Sequence, residues 1–342
     1  MLLSDLKYDY PDELIATSPQ RPSRVMWVDS NGNPSEITID ELIQKIPAGD
    51  ILVLNDTKVL KRRVFIKSPF EQNEELEILF LDHLPDGLQK VLFPSKKFKV
   101  GDKLTLPNGS VMTLIEKGLP QTVKIEPALT ESDFDQMAEL PLPPYIQKAR
   151  HERHNQQADE SWYQTAWAKN PGSFAAPTAS LHFTESDITK LKQKGVNVLT
   201  VTLHVGLGTF LPVKVENLDE HKMHEEIYSV SELVWNEIQT ARKNQSKIWA
   251  LGTTVTRTLE TVARTAEKGD LRLQGASDLL LQVGSEFKIV DRLMTNFHQP
   301  ESTLLALVSA FSSLDNVKHN YEWAIERRFK LFSYGDLSVW LR

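Results

Sequence analysis

The sequence of 342 residues contains no cysteine. That absence excludes disulfides, thiolate zinc sites, cysteine-held iron–sulfur clusters and a cysteine nucleophile. It fits a reducing compartment. Positive charge is in deficit: 39 Lys and Arg stand against 46 Asp and Glu, for a net charge of −7. A protein that clamps nucleic acid over its whole surface is usually basic, so any nucleic-acid contact here falls to local patches. No apolar run approaches the ~20 residues that a membrane span needs. The opening "MLLSDLKYDYPDELIATSP" has acidic residues early and matches neither a secretory signal nor an Arg-rich transit peptide. A cytoplasmic protein with no membrane partner is expected. Internal repeats at solenoid periods are missing. The "GLG" of Gly206–Gly208 lacks the third glycine of a dinucleotide fingerprint, since Leu211 stands at that position. "PTASL" offers no G-x-S-x-G elbow that would make Ser180 a hydrolase nucleophile.

What is present is an ordinary globular composition, 40% hydrophobic and 25% charged. The length suffices for two domains or one large one. "GDILVLNDTKV", "GVNVLTVTLHVGLGTF", "SKIWALGTTVTRTLETVAR" and "FKIVDRLMTNFHQPESTLLALVSAF" each contain a strand-like run ending in polar residues, and the last two continue into a helix. Alternating strands and helices predict an α/β fold with a mainly parallel sheet. Between them the chain changes character. "EELEILFLD" and "TVKIEP" read as strands, and "GDKLTLPNGSVMTLIE" reads as a hairpin around Asn108-Gly109. The expected organisation is an α/β main domain from residues 1–60 and 141–342, with residues 61–140 inserted as a small all-β, barrel-like domain. The Pro-rich "ELPLPPYIQK" serves as the return linker.

Ligands of open α/β sheets bind outside the carboxyl ends of the strands. The polar strand ends Asn55 and Asp56, His204, Thr253 and Thr254, and Asn296 with His298 are therefore expected to converge on one cleft. In "LGTTVTRTLE", Gly252 permits a tight turn and Thr253 or Thr254 can cap the helix. The amides there can receive a carboxylate or a sugar oxygen, and Arg257, one turn on, can grip a carboxylate with two bonds. "PGSFAAPTASLHFT" packs small side chains around Pro177 and points to close backbone approach to a ligand, with Thr178 or His182 touching it. "HKMHEE" sets His221 and His224 three apart, a spacing that on a helix can hold a metal, but no third ligand is evident and no metal is expected. Basic patches occur at Lys61-Arg62-Arg63, at Lys96-Lys97 with Lys99, in "QKARHERH" and at Arg327-Arg328 with Lys330. For each patch alone, a solvated face is the simpler account.

Eight stretches in order, "LVLNDTKV", "LPLPPYIQK", "YQTAWAKNPGSFAAPTASLHFT", "VTLHVGLGTFLPV", "EHKMHEEIY", "LGTTVTRTLE", "TNFHQPESTLLALVSAF" and "RFKLFSYGD", resemble the S-adenosylmethionine:tRNA ribosyltransferase-isomerases of the queuosine pathway. The resemblance covers nearly the whole chain. It implies an α/β main domain with an inserted β-barrel domain. It also implies that the ribosyl part of S-adenosylmethionine is transferred and isomerised onto 7-aminomethyl-7-deazaguanine at the tRNA wobble position, giving epoxyqueuosine-tRNA, adenine and methionine. S-adenosylmethionine is then a co-substrate and ribosyl donor, and the modified tRNA is the partner; separately from the resemblance, a monomer is expected. Such a reaction needs a base for a proton beside the sulfonium and an acid for departing adenine. His182, His204 and His298 are the candidates, with Asp278 and Asp56 as acidic alternatives. Thr253, Thr254 and Arg257 are expected to hold the methionine carboxylate or the ribose, and Thr178 the donor. Arg62, Arg63, Lys96 and Lys97 are the expected tRNA contacts.

The chain departs from the family pattern at several places. Lys61 and Arg62 replace Pro and Ala, Phe93 stands where a basic residue is common, and Ala276 where Glu or another large residue is frequent. Gln299 replaces Leu, and Glu301 stands where a basic residue is common. Three alternatives follow. A tRNA-binding paralogue without catalysis is favoured by Phe93, Ala276 and Glu301 and opposed by the three histidines. A metal-dependent hydrolase would use His221 and His224. A methyltransferase is disfavoured by the missing Gly-rich fingerprint.

Overall fold

Short apolar runs become strands and capped amphipathic runs become helices along most of the chain. The computed structural model describes residues 1–71, 73–206, 208 and 211–342. In chain order the first elements are β1 (Arg24–Val28), β2 (Pro34–Thr38), α1 (Ile39–Lys45) and β3 (Ile51–Asn55). There follow β4 (Thr57–Val59), β5 (Arg63–Lys67), β6 (Glu75–His83) and β7 (Leu88–Leu92). Next come β8 (Lys103–Thr105), β9 (Val111–Glu116), β10 (Gln121–Glu126), α2 (Glu131–Met137) and β11 (Ala138–Glu139). The chain continues through α3 (Pro144–Arg150), α4 (Asp159–Trp162), β12 (Asn170–Ser173), α5 (Glu185–Gln193) and β13 (Asn197–Leu203). Then β14 (Glu226–Ser229), α6 (Glu232–Lys243), β15 (Ile248–Leu251), α7 (Thr253–Glu267) and β16 (Gln274–Ser277) appear. The last elements are β17 (Arg292–Asn296), α8 (Thr303–Ser312), α9 (Leu314–Glu326) and β18 (Leu337–Leu341).

Helix starts are written in the sequence. Thr38 with Glu41, Thr130 with Asp133 and Thr184 with Asp187 form reciprocal capping boxes at α1, α2 and α5. Ser302 caps α8 by accepting from the Leu305 amide.

Two units are distinguished: Met1–Val59 with Pro143–Glu152 and Glu160–Arg342, and Leu60–Leu142 with Arg153–Asp159. The larger unit holds a nine-stranded sheet in the order β16-β14-β13-β3-β15-β17-β18-β1-β2. Side chains of a strand alternate between faces. Ile51 and Val53 accordingly join the core under α6, α7, α8 and α9, with Val234, Val255, Leu305 and Val317. Leu52 and Leu54 join the opposite core under α1 and α5, with Leu42, Ile43, Ile188 and Leu191.

This sheet is mixed, which corrects the expectation of a mainly parallel one. β13, β3, β15 and β17 are mutually parallel, as are β1 and β18. The pairs β17/β18, β1/β2, β13/β14 and β14/β16 are antiparallel. Between the parallel neighbours β15 and β17 the chain passes through one helix, α7, and the edge strand β16. Two helices, α8 and α9, lie between β17 and β18 and leave the strand running the opposite way.

The smaller unit is a curled, seven-stranded antiparallel sheet in the order β11-β5-β6-β7-β10-β9-β8. It is a half-barrel: among the described residues β11 and β8 remain at its two edges. The Asn108-Gly109 turn joins β8 to β9 in the expected hairpin, with Leu104 opposite Met112. Phe93 packs in this unit's core beside Phe98, ring centroids 5.4 Å apart.

Candidate active site

Parallel strands end on one side of their sheet, so β13, β3, β15 and β17 deliver their carboxyl ends together. Along that edge lies a cavity of about 600 Å³ within the larger unit. Thr178, Gly252, Thr253, Thr254, Arg257, Asn296 and His298 line it, as do Tyr145, Tyr163 and Phe332. The convergence of Thr253, Thr254, Asn296 and His298 agrees with the sequence reading. His204 and Asp56 do not take part, because neither lines the cavity.

The turn between β15 and α7 requires glycine: Gly252 has φ +103, in a region that L side chains rarely adopt. Gly252 is the N-cap of α7, and among the described residues no side chain caps that helix. The expected capping by Thr253 or Thr254 is thus corrected. Thr253 is already the first helical residue, and the Thr254 hydroxyl receives a bond from Asn55 Nδ2 at 3.2 Å. The amides at the start of α7 are left for a ligand, and the helix dipole favours negative charge there.

Arg257 follows one turn later, buried, and its Nη1 donates to Glu226 Oε2 at 2.5 Å. Its Nε and Nη2 are buried and have no partner among the described residues. Glu226 also accepts from the Gly206 amide at 3.1 Å, which fixes the carboxylate that fixes the arginine.

The three histidines separate. His298 lines the cavity with Nε2 bonded to Thr295 Oγ1 at 2.8 Å, and among the described residues no bond occupies Nδ1. Burial lowers its pKa to about 3, so the ring is neutral at physiological pH. His182 is buried with both ring nitrogens engaged, by Ser23 at 2.7 Å and Asn296 at 3.0 Å, which removes it from direct chemistry. His204 bonds Thr57 Oγ1 through Nδ1 at 2.7 Å, and its ring lies so close to Gly172 that a Cβ there would sit 2.9 Å from it. Burial lowers the His204 pKa, while the Asp56 carboxylate opposes the shift.

Asp56 accepts from Thr202 Oγ1 at 2.6 Å and Asn170 Nδ2 at 3.0 Å, tying β3 to β13 and β12. Asp278 is exposed just beyond β16 and is not a lining residue, and Ala276 is exposed on that same edge strand. "HKMHEE" is not helical: it runs from a turn, Leu218–Glu220, into β14. His221 and His224 both line the cavity, but no group of three metal-ligating side chains forms among the described residues.

Two of the four expected tRNA contacts are not surface cations. Arg62 is buried over the Phe134 ring at 4.2 Å and bonds Glu131 at 2.6 Å. Arg63, 1% exposed, bonds Glu139 at 3.0 Å and Asn155. Both neutralise acidic partners inside the smaller unit. Lys96 and Lys97 are exposed, and Lys97 pairs with Glu71 at 2.9 Å.

Sequence reasoning missed Glu226 as the partner of Arg257 and missed the aromatic wall. Tyr145 follows Pro143-Pro144, where proline opens α3 and sets the ring at the cavity. The Pro-Pro pair was the available signal.

Comparison with known proteins agrees with this architecture. The family model described as "Queuosine biosynthesis protein" matches residues 3–339. The chain is 39% identical over 346 residues to the S-adenosylmethionine:tRNA ribosyltransferase-isomerase of Halothermothrix orenii, with 98% of each chain covered. It is likewise 39% identical over 350 residues to the protein of that name from Clostridioides difficile, with 99% of each covered. The crystal structure of S-adenosylmethionine tRNA ribosyltransferase from Thermotoga maritima matches with a TM-score of 0.54 and 30% identity, over 98% of this chain and 99% of that one. The chain belongs to the queuosine biosynthesis protein family.

Proposed function

We propose that this chain transfers and isomerises the ribosyl moiety of S-adenosylmethionine onto 7-aminomethyl-7-deazaguanine at a tRNA wobble position, giving epoxyqueuosine-tRNA and releasing adenine and methionine. The names of its full-length relatives support an S-adenosylmethionine:tRNA ribosyltransferase-isomerase. The observation that carries the reading within this chain is the cavity at the strand ends. One end supplies the amides at the start of α7 and the Arg257 side chain, and other walls are aromatic. Its volume of about 600 Å³ suits a nucleoside joined to an amino acid.

The methionine carboxylate sits at the α7 amides, with the Arg257 guanidinium supplying positive charge beside them. His298, neutral and open at Nδ1, takes the proton beside the sulfonium and returns it to departing adenine. A bound carboxylate nearby raises the pKa of that ring, which helps it accept the proton. Thr253 and Thr254 orient the ribose. The curled-sheet unit acts as the inserted domain and meets the tRNA through Lys96 and Lys97. The chain works on cytoplasmic tRNA as a monomer.

The test is one incubation of the protein with S-adenosylmethionine and tRNA carrying 7-aminomethyl-7-deazaguanine. Mass spectrometry of the digested tRNA reports epoxyqueuosine, and a parallel assay reports free adenine. Both products are expected in equal amounts. Neither product from well-folded protein would overturn the reading.

A further inference from the structure

His182 does not line the cavity described above; with Ser23 it lines a second one of about 450 Å³, and its far ring nitrogen bonds Asn296, which does line the first. Its hydrogen bonds have only one consistent direction. Ser23 Oγ spends its single proton on Gln20 O, at 2.9 Å. It must therefore accept from His182 Nδ1, which carries the ring proton. Nε2 is then an acceptor and receives a proton from Asn296 Nδ2 at 3.0 Å. The second Nδ2 proton goes to Phe332 O, also at 3.0 Å. Phe332 holds a positive φ of +68, a backbone conformation unusual for an aromatic residue. Turning the amide over would set Asn296 Oδ1 against that carbonyl. Oδ1 is thus left to accept, and Thr178 Oγ1 donates to it at 2.9 Å.

Thr178 has no second hydroxyl proton. What it presents to the cavity is lone pairs only. We infer that His182 is a positioning residue which, through Asn296, presets Thr178 as a hydrogen-bond acceptor for a ribose hydroxyl of the donor. The identity of that ligand rests on the functional reading above. A neutral acceptor suits a neutral hydroxyl better than the donor's ammonium group, which favours a carboxylate. Ala175, Ala176 and Ala179 flank Thr178 and let a sugar ring come close to the backbone. Burial keeps His182 neutral, with a pKa of about 3, so the relay does not invert near neutral pH.

Two measurements test this. The first is the nitrogen-15 NMR spectrum of the His182 ring in the ligand-free protein. Protonation at Nδ1 is expected, and protonation at Nε2 would overturn the relay whatever the protein catalyses. The second is calorimetric binding of S-adenosylmethionine and its 2′-deoxy and 3′-deoxy analogues to wild type, Thr178→Ser and Thr178→Val. Thr178→Val should bind the parent roughly tenfold more weakly, the scale of one lost hydrogen bond. It should bind one of the two analogues as wild type does, and Thr178→Ser should restore parent binding. Equal loss on the parent and both analogues would overturn the assignment to a ribose hydroxyl. No binding of the parent by wild type would instead overturn the functional reading, while the NMR result stands apart from it.

Discussion

Arg257 places Nη1 2.5 Å from Oε2 of Glu226, while its buried Nε and Nη2 have no partner among the described residues. One edge of the guanidinium is pinned by the carboxylate. Two consequences follow, one for stability and one for binding. Glu226→Ala leaves a buried cation uncompensated and should cost about 3–5 kcal/mol. Denaturant unfolding measures it. Arg257→Lys keeps the charge but loses the planar fork. Its affinity for S-adenosylmethionine should fall roughly tenfold or more, with unfolding little changed. Unchanged affinity in calorimetry would remove Arg257 from the donor site.

His298 and His204 make a contrasting pair. His298 lines the cavity with Nδ1 open, whereas His204 leans on Gly172 outside it. His298→Ala should lower kcat roughly a hundredfold, the low end for a lost acid or base. His204→Ala should keep most of kcat and act on stability instead. Single-turnover assays of the two variants decide between them, and the reverse order of losses would move the base to His204.

Acid should weaken the fold through two buried rings. His182 and His298 have folded pKa values of about 3, against about 6.5 when exposed. Below pH 6.5 the unfolded chain binds protons that the folded chain refuses. The stability these residues contribute is therefore complete above pH 6.5 and is lost as pH falls toward 3. Each should add about 1.4 kcal/mol per pH unit to the slope in that window. Unfolding free energies at pH 7, 6, 5 and 4 measure the slope, and His298→Gln should flatten it. A pH-independent stability would show that these rings protonate in place.

Charge in the smaller unit divides by burial. Lys96→Glu with Lys97→Glu should weaken tRNA binding severalfold and reduce its salt dependence by one or two ions. Arg63→Ala should instead lower the unfolding temperature, because Glu139 loses its cation and Asn155 its donor. Filter binding at several salt concentrations, beside a thermal melt, separates the two effects. Undiminished tRNA affinity in the double lysine variant would place the RNA elsewhere.

Where a signal was local, the sequence disclosed it. Buried strands announced themselves as apolar runs such as Ile51–Leu54, the hairpin as Asn108-Gly109, and the α7 turn as Gly252. The eight ordered stretches identified the family. Direction of the antiparallel strands was hidden, because it depends on the connection that precedes each: two helices lead into β18, whereas β2 and β14 fold back on their partners with no α-helix among the described residues between. Arg62 and Arg63 looked like a basic patch because their neutralising partners, Glu131 and Glu139, lie 69 and 76 residues away. The histidines looked equivalent for a similar reason. Only packing distinguishes a ring with both nitrogens bonded, such as His182, from one with a nitrogen to spare, such as His298.

The smaller unit draws on Leu60–Leu142 and again on Arg153–Asp159. His154 grips Glu139 and Glu75 there, at 2.7 and 2.8 Å, and Asn155 bonds Glu139 through its backbone amide. The chain consequently crosses between the units four times. A gene fragment cut at one pair of boundaries would leave β11 and β6 without their clasp. Grafting this half-barrel into another protein would need two separate splices made together, so recombination at a single site cannot trade it between relatives intact.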